Sequence, residues 1–119
     1  MKNTHASYAT RMVIQDILEW IEFNISKPLS LYTLVEKSGY SMGYFQKCFR
    51  EISGMSPATY VRYRRMVIAK DLLTETNSTI DEISMYLGYH RQSTFCRTFR
   101  EYYHLTPVQY RKKTSIEAI

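Results

Sequence analysis

Apolar residues along this chain recur at helical rather than strand spacing, and the breaks between periodic stretches fall at glycine, proline and small hydroxyl residues. Ile14, Ile17, Leu18, Ile21 and Ile25, with Trp20 alongside, predict an opening helix over about residues 11–24, ended by Lys27-Pro28. Leu31 to Lys37 reads as a short second helix. Gly39 can adopt the positive φ that ends it, and Ser41 stands where a hydroxyl caps the helix that follows. In that third helix Phe45, Cys48, Phe49 and Ile52 fall at i, i+3, i+4 and i+7, which makes them one inward stripe. Gly43, Gln46, Lys47 and Arg50 take the opposite face.

Pro57 through about Glu75 holds no glycine and no later proline, and carries Tyr60, Val61, Met66, Ala69, Leu72 and Leu73. It predicts one connecting helix of roughly 18 residues, ~27 Å long at the α-helical rise. After the break at Thr76-Asn77-Ser78 the earlier pattern returns. Thr79 and Glu82 have capping-box spacing, Ile80, Ile83 and Leu87 form an apolar stripe, and Gly88 supplies a turn. In the next helix Phe95, Thr98, Phe99 and Tyr102 point inward, leaving Ser93, Cys96, Arg97 and Arg100 outside with Gln92 and Thr94 near its start. Ser56-Pro57 and Thr106-Pro107 each place a cap residue before a proline at the first helical position.

These similarities amount to an internal near-repeat, in which Gly39-Tyr40 through Tyr60 lies over Gly88-Tyr89 through Tyr110 after a single-residue insertion. Phe45 matches Phe95, Phe49-Arg50-Glu51 matches Phe99-Arg100-Glu101, Pro57 matches Pro107, and Tyr60 matches Tyr110. The expected fold is therefore all-α: two helix-turn-helix subdomains joined by a long helix, about seven helices in total. The expected boundaries are a flexible segment over 1–8, a first subdomain over 9–55, the connecting helix over 56–76, a second subdomain over 77–113, and a flexible end over 114–119.

With 119 residues, 45% hydrophobic and 23% charged, the chain has globular composition and little room for a separate ligand domain. Sixteen Lys and Arg against eleven Asp and Glu give a formal charge of +5, which suits a polyanionic partner. The positive charge gathers in two stretches. One holds Lys47, Arg50, Arg62, Arg64, Arg65 and Lys70, and the other Arg91, Arg97, Arg100, Arg111, Lys112 and Lys113. Cys48 and Cys96 lack paired spacing, and His5, His90 and His104 are scattered, so neither a metal set nor a nucleophile constellation is expected. No run approaches the ~20 apolar residues of a membrane span, and no secretory signal is read at the amino terminus. The expectation is a cytoplasmic protein that is not an enzyme, with no cofactor, no small-molecule effector and no membrane partner.

The outward faces carry residue types that read bases. Arg bonds a guanine edge through two parallel hydrogen bonds, Gln does so with adenine, and hydroxyl groups make smaller contacts. Base contact is expected of Gln46, Lys47, Gln92, Ser93, Thr94 and Arg97, and phosphate contact of Ser41, Arg50, Arg64, Arg65, Arg91, Arg100 and Arg111. Phe45, Phe49, Phe95, Phe99 and Trp20 are expected in the core.

The stretches Gly39 to Phe49 and Gly88 to Phe99, followed by Thr106 to Arg111, resemble the AraC/XylS family of bacterial regulators over roughly Val13 to Lys112. Ile17 to Glu22 and Pro28 to Leu31 look like the family's short, stand-alone branch represented by MarA, SoxS and Rob. The resemblance implies a monomer that places two recognition helices in successive major-groove segments of promoter DNA. It also implies activation through RNA polymerase at stress or antibiotic-resistance promoters. By motif position it puts the base-reading sites on Gly43, Gln46, Lys47, Gln92, Ser93, Thr94 and Arg97. Gly43 stands where close relatives often carry Trp, Ser93 replaces a common Gln, and Arg91 a common Ser. The alternative from another class is a protein-interaction adaptor whose basic helices dock an acidic partner.

Overall fold

Ser7 begins the ordered helical run, because its hydroxyl accepts from the Thr10 amide at 3.2 Å and so satisfies a donor that the first turn leaves unpaired. The structure, a computed structural model, describes residues 6–117, with side chains described through residue 115. His5, and the expected flexible segment as far as residue 5, lie outside the described residues. Seven α-helices and no strand occur among the described residues: α1 (Tyr8–Phe23), α2 (Leu31–Ser38), α3 (Met42–Ser53), α4 (Pro57–Glu75), α5 (Ile80–Tyr86), α6 (Gln92–Tyr103) and α7 (Pro107–Glu117). No described helix is long and apolar enough to cross a membrane.

Local chemistry accounts for most of the helix ends. Ser30 and Ser41 cap α2 and α3 through hydroxyls that accept from the amides of Thr33 and Tyr44. Thr79 and Glu82 close a reciprocal capping box on α5, at 3.0 and 2.8 Å. Gln109 does the same for Thr106 ahead of α7. Gly39 leaves α2 at φ 74°, a left-handed step that costs a side-chain-bearing residue free energy.

The chain divides into two units, Met1–Tyr63 and Arg64–Ile119, and the boundary falls inside α4. The connecting helix is thus divided between the units, because Val61 is buried in the first and Met66, Ala69 and Leu73 in the second. In unit 1, Ile14, Ile17 and Ile21 of α1 pack with Leu34, Phe45, Cys48 and Phe49. In unit 2 the equivalent interior holds Met66, Ala69, Leu73, Ile83, Leu87, Phe95 and Phe99. Phe49 meets Tyr60 edge-on with ring centroids 5.7 Å apart, and Phe99 meets Tyr110 at the same separation.

Three expectations need correction. The opening helix starts at Tyr8 rather than near residue 11, because Ser7 provides the cap. At the other end α7 continues to Glu117, carrying helix into the segment expected to be flexible. Trp20 is half-buried rather than core: with Val13, Asp16, Ile17, Lys37 and Ser38 it lines an open depression of about 380 Å³ in unit 1. The Lys37 ammonium lies 4.7 Å from its ring centroid, a cation–π contact that suits an amphipathic ring at a surface.

Candidate nucleic-acid interface

In each unit a glycine turn leads into a twelve-residue helix, α3 or α6, whose buried stripe sets what faces solvent. Phe45, Cys48 and Phe49 turn inward from α3, and Phe95 and Phe99 from α6. That phase leaves Gly43, Gln46, Lys47 and Arg50 exposed on α3, and Gln92, Ser93, Arg97 and Arg100 exposed on α6. Thr94 is half-buried, as is Thr98, whose hydroxyl donates to the Thr94 carbonyl at 2.9 Å. Each exposed row combines amide, small and cationic groups on a helix of a diameter that fits a major groove.

The starts of the two helices differ. Ser41 caps α3, whereas Arg91 occupies the same place on α6 with no side-chain cap bond. Arg91 therefore leaves the first amides of α6 unsatisfied by a side chain and adds a cation beside them, an arrangement suited to a phosphate oxygen. Ser41 and Arg91 are both exposed.

Hydroxyl contacts fix the first turn of α3 against α1. The buried Thr10 hydroxyl receives hydrogen bonds from Ser7 Oγ at 3.1 Å and the Tyr40 hydroxyl at 3.2 Å, and lies 3.4 Å from the Tyr44 hydroxyl. Tyr40 and Tyr44 also meet edge-on at 5.0 Å. Tyr44 was not singled out from the sequence. It keeps 43% exposure beside Gly43, and its partner Thr10 lies 34 residues away, beyond the reach of local pattern.

Several cations expected on phosphate are committed elsewhere. Arg111 donates through Nε to the Leu73 carbonyl at 3.0 Å, through Nη1 to Ser78 at 2.6 Å, and through Nη2 to Thr76 at 3.2 Å and Leu72 at 3.5 Å. These carbonyls belong to the C-terminal end of α4 and the loop after it, where main-chain acceptors run out of helical partners, although Leu72 also accepts from the Thr76 amide and hydroxyl. The half-buried guanidinium of Arg111 thus closes a helix end. Arg65 is half-buried with its Nη2 3.1 Å from where a β-carbon on Gly88 would stand. Burial lowers its pKa from the usual arginine value, with Tyr89 acting in the opposite direction. Arg64 is also half-buried and engaged within the chain. Of the cations expected on bases or phosphate, Lys47, Arg50, Arg91, Arg97 and Arg100 are exposed.

Cys48 is buried and Cys96 half-buried. Burial pushes the Cys96 thiol up, against a hydrogen bond with Gln92 that pulls it down, so its protonated form is favoured.

A family model described as a helix-turn-helix domain matches residues 34–113. Regulatory protein SoxS of Escherichia coli (strain K12) is 40% identical over 101 residues, covering 85% of this chain and 94% of SoxS. The chain belongs to the AraC/XylS family of helix-turn-helix regulators. It is also similar to the multiple antibiotic resistance protein MarA of Salmonella typhimurium (strain LT2), at 38% identity over 100 residues, 84% of this chain and 79% of MarA. Among solved structures, the DNA-binding domain of AdpA, a global transcriptional factor, in complex with a target DNA has a TM-score of 0.84 over 87% of this chain and 94% of that one. At 20% identity that likeness is one of fold. Family membership makes this chain a DNA-binding transcription regulator.

Proposed function

We propose that a single chain binds an asymmetric pair of major-groove segments in promoter DNA, one through each unit, and activates transcription together with RNA polymerase. The observation that carries this reading is the matched exposure of polar and cationic side chains on α3 and α6, one recognition helix per unit. Because one chain holds two readers, a monomer suffices, and the two sequences being unlike makes the site a non-palindrome. In this reading Arg97 bonds a guanine edge, Gln46 and Gln92 bond adenines, Lys47 reaches base edges and phosphate alike, and Ser93 and Thr94 make single contacts. Gly43 offers main chain alone. Ser41, Arg50, Arg91 and Arg100 hold phosphates and set register. The likeness to SoxS and to a protein named for multiple antibiotic resistance supports promoters of stress or antibiotic resistance as targets, and a cytoplasmic location.

The test is selection of bound duplexes from a random pool, followed by insertion of about five base pairs between the two recovered segments. That insertion turns the second segment onto the opposite face of a duplex with about 10–10.5 base pairs per turn. Binding should fall to the level of one segment alone. Full affinity after insertion, or two chains on a symmetric site, would overturn the bipartite monomer.

A further inference from the structure

The two recognition helices present unequal chemistry at matched positions. Through the internal repeat, Gly43 of α3 corresponds to Ser93 of α6, Lys47 to Arg97, and Met42 to Gln92. Three of the chain's four glycines hold left-handed backbone, at φ 74°, 82° and 88°, and Gly43 is the exception. A β-carbon built on Gly43 meets nothing within 4 Å. Neither turn geometry nor packing therefore asks for glycine there, and within a helix glycine is less favourable than alanine. Its effect falls on the exposed surface. Where α6 offers the Ser93 hydroxyl, α3 offers a bare Cα, which has no donor, acceptor or methyl group with which to distinguish base pairs.

The second pair sharpens the contrast. Lys47 carries a compact ammonium on a flexible stem, able to turn its donors towards phosphate as readily as towards a base. Arg97 carries a planar fork whose two parallel donors match a guanine edge. At the helix starts, Gln92 is exposed with an amide able to make two bonds to adenine, while the matched Met42 is half-buried and has no such group. Apart from the matched pair Arg50 and Arg100, assigned to phosphate, α3 has two-bond geometry at Gln46 alone, against Gln92 and Arg97 on α6.

We infer that the units divide the work unequally: α6 supplies most of the sequence discrimination, and Gly43 and Lys47 make α3 a reader that depends less on sequence. The inference rests on both helices facing DNA, as proposed above.

The intact protein is tested on the duplex recovered from a random pool and on a scrambled duplex of equal length, with thermal melts confirming that each variant is folded. Arg97→Lys should lower the recovered-over-scrambled affinity ratio by about 5- to 150-fold. Lys47→Ala should weaken both duplexes alike and reduce the slope of log affinity against log salt by about 1. Lys47→Arg, and separately Gly43→Ser, should each sharpen preference at one base pair of the segment that unit 1 binds. The inference is overturned if that segment is constrained as tightly as the other, or if Lys47→Ala costs affinity on the recovered duplex alone. Equal affinity for recovered and scrambled duplexes in the unaltered protein would instead remove the proposed sequence-specific binding itself.

Discussion

Arg111 Nη1 holds the carbonyl oxygen of Ser78 at 2.6 Å, across 33 residues of chain. Through this bond and its neighbours, a side chain from α7 completes the acceptors that α4 leaves open at its end. A cation there also meets the negative end of the helix dipole.

Arg111→Ala should consequently lower the free energy of unfolding by about 1.5–3 kcal/mol, the range for hydrogen bonds to a charged group. Arg111→Lys should recover only part of this, since a single ammonium cannot span carbonyls that a planar fork reaches together. Urea unfolding measures the loss. The salt dependence of DNA binding, measured where the variant is folded, should keep its slope. A slope reduced by about 1 with unchanged stability would return Arg111 to a phosphate.

Phe49 and Phe99 are both fully buried and make the same edge-on contact with Tyr60 and Tyr110. Alanine at either position should cost about 3–5 kcal/mol, a large share of the ~5–15 kcal/mol that holds a small protein folded. Denaturant titrations should give two similar losses. Melting curves that overlie the unaltered protein would contradict the role of both rings as anchors.

How far this interior was legible depended on distance along the chain. Gly39, Ser41, and the Thr79–Glu82 box act on residues within a turn or two, so spacing alone revealed them. The inward stripes of α3 and α6 follow from helical periodicity for the same reason. Arg111 looked like a DNA contact because basic residues cluster around it, but its partners at Leu72, Leu73, Thr76 and Ser78 are brought to it only by folding. Trp20 shares helical spacing with core residues, and a ring of its size is satisfied at the edge of that core beneath Lys37. Which exposed side chains touch bases depends on a duplex that the chain's own packing does not specify.

Gly88 and Arg65 should show non-additive effects. Alanine at 88 meets two penalties, a left-handed φ of 88° and the Arg65 guanidinium 3.1 Å from the new β-carbon. Gly39→Ala meets only the first, because nothing lies within 4 Å. The left-handed step itself costs about 1–2 kcal/mol, so Gly88→Ala should be the more destabilising of the two. In a double-mutant cycle with Arg65→Ala, the excess at position 88 should disappear. Equal losses at 39 and 88 would leave the close approach without energetic weight.

Arg91→Ser should move stability and binding in opposite directions. A hydroxyl at the open cap of α6 gains the bond that Ser41 already makes on α3, worth about 0.5–2 kcal/mol. Loss of the cation should weaken binding to all duplexes and lower the salt slope by about 1. Calorimetry and salt-dependent titration report the two effects separately. A variant both more stable and equally tight would remove Arg91 from the interface.

His104 ends α6 at φ 65°, the place where Gly54 ends α3 at φ 82°. A residue with a bulky ring accepts the conformation that its counterpart adopts with no side chain at all. What passes from one copy of the motif to the other is thus an itinerary of main-chain angles, and the side chains are passengers on it. A duplicated fold of this kind can exchange its surface chemistry one residue at a time while its path through space stays the same, which is the condition under which two copies of one reader can come to recognise different sequences.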